Sequence, residues 1–301
     1  MSDYHVPVML RESVDELKIV PEGVYLDLTF GGGGHSQGIL EKIDKGHLYA
    51  FDQDMDAELN AQEITSRSFT FIRANFRYLS KYLRVHGVDK VDGIFADLGI
   101  SSHQIDEASR GFSTRSEGDL DMRMNRDGGL SAGEWINKVT ETELKSVIGK
   151  WGEVRNAGAV ARVICSARAN KEIETTTELT KIIEPLAPRG KHSKFYAQVF
   201  QAIRIKVNDE MTALNEGLEQ GTGMLKQGGR FVILTYHSLE DRMVKNFFRC
   251  GKVTGEMEKD IYGNMIRPLI PVHRKPIPAG ELEISKNSRA RSAKLRVAEK
   301  L

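Results

Sequence analysis

The stretch VYLDLTFGGGGHS, residues 24–36, places a short apolar run before four consecutive glycines and a histidine. The apolar run predicts a buried strand that ends in Asp27, and the segment after His35 predicts a helix. A strand, a glycine turn and a helix in this order present free backbone N–H groups at the carboxyl end of a parallel sheet. The stretch therefore predicts a ligand site in an open α/β fold.

The residues on either side of this stretch continue the same alternation. Apolar runs separated by helical patterns imply right-handed βαβ crossovers and a doubly wound sheet that is covered on both faces. The predicted strands are residues 24–28, 47–52, 69–74 and 91–99, and the predicted helices follow His35 and lie near residues 55–64 and 76–85.

After Gly99 the alternation stops for more than a hundred residues. A loop rich in Gly, Ser and Asp comes first, and residues 131–187 carry apolar residues at helical spacing only. A stripe from Tyr196 to Leu218 predicts one longer helix. This organisation predicts an all-helical domain inserted into the α/β domain.

The α/β pattern returns with GGRFVILTYH, residues 228–237, which predicts a buried strand. A helix is predicted from Ser238, with Asp241 as its capping partner. The alternation in RSAKLRVAEK, residues 291–300, predicts an edge or antiparallel strand. We expect residues 1–104 and 206–301 to form the cofactor-binding domain, and residues 105–205 to form the insert that recognises the substrate.

Composition limits the protein classes that fit. The chain has 301 residues, 40% of them hydrophobic and 28% charged, which suits a globular protein with a sizeable core. No apolar run approaches the roughly 20 residues of a membrane span, and the first residues lack a signal-peptide layout. We therefore expect a cytoplasmic protein. Cys165, Cys250 and the eight histidines show no spacing typical of disulfides or a metal site.

Charge is divided unevenly along the chain. Residues 1–149 hold 16 Lys and Arg against 25 Asp and Glu, a net charge of −9, so the remainder carries +10. An acidic half and a basic half suggest a small cationic ligand for one and a polyanion for the other. The alternative is that charged residues on solvent-exposed surfaces are distributed unevenly by chance.

The glycine turn matches no phosphate-binding fingerprint. With Gly31 and Gly33 in the first two places of G-x-G-x-x-G, the third place is Ser36, and no lysine completes a triphosphate loop. Asp52 ends the second strand about twenty residues further on, where an acid can bind both hydroxyls of a ribose. This pairing serves NAD and S-adenosylmethionine alike.

The residues at the ends of the third and fourth predicted strands favour S-adenosylmethionine over NAD. Phe76 follows the third strand and is placed to lie against an adenine, although a core position is the more frequent role of such a residue. Asp97 ends the fourth strand at the centre of the predicted pocket. A carboxylate there, in a half with net charge −9, suits the cationic end of S-adenosylmethionine.

Taken together, the motifs closely resemble the RsmH (MraW) family over essentially the full length and in order. The motifs that carry the resemblance are HVPVML (5–10), TFGGGGHS (29–36), FDQD (51–54), DGIFADLGISSHQID (92–106), RGFS (110–113), GDLDMRM (118–124), FQAIRIKVNDE (200–210), TYHSLEDR (235–242) and NSRARSAKLRVAEK (287–300). The chain departs from the family's common pattern at Gly32, where relatives often carry arginine, and in HSKFYAQVFQAIRI (192–205).

The resemblance implies an S-adenosylmethionine-dependent methyltransferase that acts on the N4 amine of a decoding-centre cytosine in bacterial 16S rRNA. It implies a class I, Rossmann-like methyltransferase sheet with a helical domain inserted after the fourth strand, and the small ribosomal subunit as partner. Both a monomer and a homodimer are compatible with it. The cofactor contacts that it implies are Gly33, Gly34, His35, Asp52, Phe76, Asp97 and Gln104.

Methyl transfer to a cytosine amine needs an acceptor for an N4 proton, because the lone pair of that amine is delocalised into the ring. Candidates for the acceptor are Asp97, Ser101, Asp121 and His237, each of which also has an ordinary turn or capping role. Methylation at cytosine C5 needs a cysteine nucleophile instead, and neither cysteine lies at a predicted strand end.

Contacts with RNA are expected from the basic half of the chain. The alternative for each basic residue proposed below is that it is an ordinary charged residue on the protein surface. The candidates are Arg189, Lys191, Lys194, Arg289, Arg291 and Lys294. An unstacked cytosine is the expected substrate. Two other functions remain open from the residues alone: an NAD-dependent oxidoreductase, and a ribosome-assembly factor without catalytic activity.

Overall fold

The computed structural model describes residues 7–301, so His5 and Val6 of the HVPVML motif lie outside the described residues. The chain forms two compact units: one comprises the residues up to Gly99 and those from Met211 to Leu301, and the other is Ile100–Glu210. The predicted domain boundaries, at 104/105 and 205/206, differ from the boundaries between these two units. Ser101 and Gln104 belong to the first turn of one helix, and residue 205 lies inside another, so neither predicted boundary falls between elements.

The first unit contains all ten strands that the described residues form. They are β1 Val24–Asp27, β2 His47–Asp52, β3 Phe69–Arg73, β4 Val91–Asp97, β5 Leu225–Thr235, β6 Glu258–Lys259, β7 Met265–Ile266, β8 Leu269–Pro271, β9 Ile277–Pro278 and β10 Lys294–Lys300. The main sheet has the order β3-β2-β1-β4-β5-β10-β8, β9 also pairs with β10, and β6 and β7 form a separate hairpin.

Strands β1 to β5 are parallel, which confirms the doubly wound α/β class. Strand β10 is antiparallel to β5, as expected. It is not an edge strand, because β8 and β9 pair with its other side. These two strands are too short to be recognised by alternation.

The helices follow the predicted pattern with one break. They are α1 Leu10–Glu16, α2 Gly34–Leu40, α3 Met55–Ala61, α4 Leu79–Val85, α5 Ser102–Asp106, α6 Ala132–Lys138, α7 Glu141–Gly152, α8 Ala157–Arg168, α9 Thr176–Ile183, α10 His192–Asn208, α11 Glu210–Met224, α12 Ser238–Cys250 and α13 Glu281–Lys286, with 3₁₀ turns at Phe76–Tyr78, Ala108–Arg110, Glu184–Leu186 and Ser288–Ser292. The single long helix predicted from Tyr196 to Leu218 is wrong. Asp209 adopts a left-handed φ of 49°, which ends α10 and starts α11.

Successive residues of the central strands pack into different cores on the two faces of the sheet. Leu26, Ile94 and Phe231 lie in one core, and Tyr25 and Phe95 lie in the other. This two-residue alternation is the geometry of a strand that is buried on both faces. The sheet is thereby fixed as a rigid platform for its carboxyl edge.

The second unit is helical apart from one isolated β-bridge between Asp119 and Thr175. Its core collects fully buried aliphatic side chains from five helices, among them Ile136, Ile148, Val160, Leu179 and Ile203. Of all the described helices, none has the length and apolar character that a membrane span requires.

Candidate active site

Three adjacent parallel strands each end in an aspartate: β1 in Asp27, β4 in Asp97 and β2 in Asp52. The strand order reverses beside β1, between β2 and β4, and ligands of open α/β sheets bind at the carboxyl ends of strands at such a point. Among residues 7–301, no lysine or arginine forms an ion pair with any of these three carboxylates. The edge of the sheet therefore concentrates negative charge without a cation from the described chain.

Burial changes the acidity of all three groups. Desolvation raises the pKa of Asp27 and the pKa of Asp52 to about 6 each. It raises the pKa of Asp97 to about 7, and the neighbouring charges of Asp27 and Glu240 act in the same direction. Each group is therefore held in an environment that disfavours its ionised form. A bound cation would reverse that effect.

The glycine turn is anchored by two of these carboxylates. Asp27 accepts hydrogen bonds from Ser36 Oγ at 2.7 Å and from Thr29 N at 3.0 Å. Asp52 accepts one from Gly31 N at 2.8 Å. These side-chain acceptors add to the backbone hydrogen bond from Phe30 N to the Phe51 carbonyl at 2.9 Å, which also joins the turn to β2.

Glycine is required at two of the turn positions. Gly33 has a φ of 78°, and a Cβ there would lie 2.7 Å from the Phe30 ring. A Cβ on Gly34 would overlap Pro7. By contrast, a Cβ on Gly32 meets no atom within 4 Å. Gly33 and Gly34 keep the backbone bare where α2 begins.

His35 is buried beside Asp97. Its Nε2 donates to the Val8 carbonyl at 3.0 Å, so Nδ1 carries the lone pair, and this nitrogen lies 3.8 Å from Asp97 Oδ2. Burial lowers the pKa of His35 to about 4, so the ring is neutral at pH 7. A neutral ring nitrogen and a carboxylate oxygen side by side form a pair of acceptors that suits an ammonium group.

Tyr236 holds the other oxygen of Asp97. This tyrosine follows β5, and its hydroxyl donates to Asp97 Oδ1 at 2.7 Å. Burial of the phenol, and then the charge of Asp97, raise the pKa of Tyr236 far above its usual range, so the phenol stays protonated. On the backbone side, Asp97 N donates to Thr29 Oγ1 at 2.6 Å. The Asp97 carboxyl is therefore fixed in orientation, with Oδ2 on the side of His35.

The two remaining cofactor candidates of this unit have different surroundings. Besides Gly31 N, Asp52 accepts a hydrogen bond from Asp54 N at 2.9 Å. Phe76 is half-buried, and a Cβ on Gly217 of α11 would lie 2.6 Å from its ring. Phe76 is thus packed against the sheet core, and it begins the 3₁₀ turn that follows β3.

Ser101, Gln104 and Asp121 belong to the second unit. Ser101 and Gln104 form the capping box of α5, in which Ser101 Oγ accepts from Gln104 N at 3.1 Å and Gln104 Oε1 accepts from Ser101 N. Asp121 pairs with Arg123 at 2.7 Å, and the guanidiniums of Arg123 and Arg126 hold its pKa below the usual range despite its burial. It is a weak proton acceptor for that reason.

His237 is the N-cap of α12, with Glu240 as its capping-box partner. The prediction of Ser238 with Asp241 in these roles is wrong by one residue, because the imidazole Nδ1 accepts the Glu240 N–H. Asp241 instead pairs with Arg296 at 2.6 Å and with Lys294 at 3.2 Å. Glu240 in turn accepts from the backbone N–H groups of Tyr236 and His237.

The basic candidates occupy two places. Arg189, Lys191 and Lys194 are exposed around the start of α10. Arg289 and Arg291 lie in the 3₁₀ turn before β10, and Arg291 is exposed. The sixth candidate, Lys294, is the lysine that pairs with Asp241, so its charge is partly neutralised.

Asp27 and Tyr236 are absent from the sequence-predicted site. From the sequence, Asp27 is identified only as the last residue of a strand. The sequence does contain a signal for it, because three predicted strands each end in an aspartate. Tyr236 has no such signal, because only the parallel register of β4 and β5, with Asp97 opposite Leu234, brings its ring to Asp97.

A family model described as the MraW methylase family matches residues 2–301. A protein of Cytophaga hutchinsonii named ribosomal RNA small subunit methyltransferase H is 56% identical over 297 residues, which is 99% of each chain. A protein of the same name from Amoebophilus asiaticus is 51% identical, over 99% of this chain and 96% of its own. Among solved structures, an rRNA methylase from Streptococcus thermophilus aligns over 99% of both chains, at 12% identity and a TM-score of 0.42. That structural similarity is distant, and the family assignment depends on the sequence matches.

Proposed function

Because the chain belongs to the MraW methylase family, we propose that it is an S-adenosylmethionine-dependent methyltransferase that acts on ribosomal RNA of the small subunit. The names of its relatives support this substrate class. The finer assignment, to the N4 amine of a decoding-centre cytosine in 16S rRNA, follows from the family resemblance. An enzyme with this substrate works in the cytoplasm.

The observation that carries the proposal is the group of three carboxylates without a cation from the described chain, of which Asp27 is buried and Asp52 and Asp97 are half-buried. S-adenosylmethionine supplies a methyl group already activated on a positively charged sulfur, and its amino group is a second cation. Asp97 and the neutral His35 Nδ1 fit the amino group as acceptors. Asp52 fits the ribose hydroxyls, and the bare backbone at Gly33 and Gly34 fits the close approach of the methionine portion.

Two further cofactor contacts belong to the proposal. Phe76 would lie beside the adenine, and Gln104 is carried over from the family pattern. Both side chains already have protein partners: Phe76 packs on Gly217, and Gln104 caps α5. Their contribution is therefore expected to be smaller than that of Asp52 or Asp97.

Asp97 is the best of the four candidate acceptors for the N4 proton. The amino group of the cofactor would lower the pKa of Asp97 below the value of about 7 that it has in the ligand-free protein, so the carboxylate is ionised and can accept the N4 proton as the amine becomes cationic. Ser101 and His237 are engaged in capping their helices, and Asp121 is neutralised by arginine. The residues of the site orient the amine, exclude water and receive the proton, while the displacement itself needs no covalent intermediate.

The proposed RNA contacts are the exposed cations at the start of α10 and two arginines before β10, of which Arg291 is exposed and Arg289 is half-buried. Arg189, Lys191 and Lys194 form one group, and Arg289 with Arg291 forms the other. Lys294 is expected to contribute less because of its ion pair with Asp241. Phosphate contacts of this kind give affinity that falls steeply with salt.

The decisive experiment incubates the protein with small ribosomal subunits and a methyl-labelled donor, and then identifies the modified nucleoside by mass spectrometry. N4-methylcytidine is the expected product. A parallel titration compares the affinities for S-adenosylmethionine and NADH. Cofactor binding without any methylated nucleoside would favour an assembly factor, and binding of NADH alone would favour an oxidoreductase; either result contradicts the proposal.

A further inference from the structure

A cavity lies at the opposite, amino-terminal edge of the same sheet. Its volume is about 310 Å³, at the lower end of the range for small-ligand sites. It is lined by the segment after α1, by the starts of β1 and β4, by residues 226–230 of β5 and by Glu299 of β10. Strand β5 bulges there, since Val91 of β4 pairs with Leu225 but Gly93 pairs with Arg230. The bulge turns several polar residues toward the cavity.

Cations outnumber acids among the lining residues. Lys226 pairs with Asp92 at 2.8 Å, and Arg230 Nη2 pairs with Glu299 at 2.8 Å. Lys18 is exposed, and no ion pair joins it to any residue of the described chain. The cavity therefore has a net positive charge of one after its internal pairs are formed.

The strongest sign of a ligand is the guanidinium of Arg230. This residue is only 7% exposed, and its Nη1 is buried without a hydrogen-bond partner among residues 7–301. A buried donor left without an acceptor is unfavourable, so a ligand that supplies the acceptor is favoured there. The Tyr25 hydroxyl, which also lines the cavity, accepts a hydrogen bond from Val20 N at 2.8 Å and keeps its own hydrogen for a second partner.

We propose that this cavity binds an oxyanion of the phosphate class, held by the Arg230 guanidinium, Lys18 and the Tyr25 hydroxyl. A planar guanidinium with a free N–H group matches the geometry of phosphate oxygens. Leu17 and Val20 form an apolar wall beside these donors, so a phosphate ester fits the cavity better than a bare ion. The ester is either a small phosphorylated compound or a backbone phosphate of RNA.

The test is calorimetric titration with inorganic phosphate at constant ionic strength. Lys18→Met removes the unpaired cation and is expected to weaken binding about fivefold, as for one unit charge near the surface. Glu299→Gln removes an acid that competes for Arg230 and is expected to strengthen binding by a similar factor. Lys81→Met, at an exposed lysine of α4 outside the cavity, serves as the matched control and is expected to change nothing.

Opposite effects of the Lys18 and Glu299 variants, with no effect at Lys81, would support the site. Equal weakening by all three substitutions would identify an adventitious ion only, and the absence of binding to the wild-type protein would also overturn the proposal. Arg230→Lys, which keeps the charge and loses the forked donors, is expected to weaken binding while its unfolding temperature reports whether it folds.

A second arm distinguishes the two sources of phosphate. A short single-stranded oligoribonucleotide is added to the phosphate-saturated protein. Displacement with the same variant pattern assigns the site to RNA backbone, and retention of phosphate assigns it to a small phosphate ester. Methyl transfer is measured on the same variants, so the failure of this site and the failure of the proposed methyltransferase activity are separate results.

Discussion

The two edges of the central sheet differ in whether their acidic side chains are paired with cations. At the amino-terminal edge, Asp92 faces Lys226 and Glu299 faces Arg230, so each acid has a cation. At the carboxyl edge, Asp27, Asp52 and Asp97 have no cation from the described chain and have raised pKa values. An unpaired charge that is wholly or partly removed from water destabilises a fold. Its concentration at one edge indicates that stability is given up there for the binding of a cationic ligand.

The largest effect is expected for Asp97→Asn. The substitution keeps the shape of the side chain but removes both the negative charge and the proton acceptor. Methyl transfer is expected to fall about 1,000-fold, the loss of about 4 kcal/mol of transition-state stabilisation. Single-turnover transfer to small subunits measures it. Asp89→Asn, at an exposed acid shortly before β4, is the control and should keep wild-type activity. Normal turnover by Asp97→Asn would remove Asp97 from the chemistry.

The glycine turn offers a matched pair of substitutions. Gly33→Ala places a Cβ against Phe30 at a positive φ and is expected to cost about 2 kcal/mol of unfolding free energy. Affinity for S-adenosylmethionine should fall with it, because the bare backbone is lost. Gly32→Ala meets open space and should change stability by less than about 0.5 kcal/mol. Urea unfolding and calorimetric titration of both variants measure the difference. Equal effects would show that the turn has no position-specific need for glycine.

Much of the fold and part of the candidate site could be predicted from the sequence. The four parallel strands, the helical insert and the aspartates at 52 and 97 follow from apolar periodicity and from where each run ends. The break at Asp209 could not be predicted, because the apolar stripe continues across it and the only change is the left-handed backbone conformation of Asp209 itself. The contact of Tyr236 with Asp97 depends on the register between strands that lie far apart in the chain. Local patterns contain no information on that register.

The stability of the ligand-free protein should fall as the pH rises, because the aspartates at the carboxyl edge of the sheet have raised pKa values. A carboxyl whose folded pKa is raised favours the folded state below its unfolded pKa, near 4, and that contribution is lost as the pH rises through the folded value. For Asp97, with a folded pKa of about 7, the loss falls between about pH 4 and pH 7.

The shift of about three pKa units, at about 1.4 kcal/mol each, sets an upper limit of about 4 kcal/mol on this effect. Because a quarter of the Asp97 side chain is exposed to solvent, Asp97→Asn is expected to be more stable than wild type at pH 8 by about 2 kcal/mol. Asp92→Asn at the other edge, which breaks the pair with Lys226, should be less stable by up to about 1 kcal/mol. Urea titrations at pH 5 and pH 8 measure both. Destabilisation by both variants at pH 8 would contradict the contrast between the edges.

The smallest effect is expected for Tyr236→Phe. The hydroxyl at 2.7 Å stabilises the ionised form of Asp97 and so lowers the pKa of that carboxyl; its removal raises the pKa further. Affinity for S-adenosylmethionine should fall up to about tenfold at pH 7, where more of Asp97 becomes protonated, and should return toward wild type near pH 9. Calorimetric titrations between pH 6 and pH 9 measure the profile, with Tyr262→Phe, at an exposed tyrosine, as control. A loss of equal size at every pH would show that Tyr236 only packs beside Asp97, because a purely structural role does not depend on how Asp97 titrates.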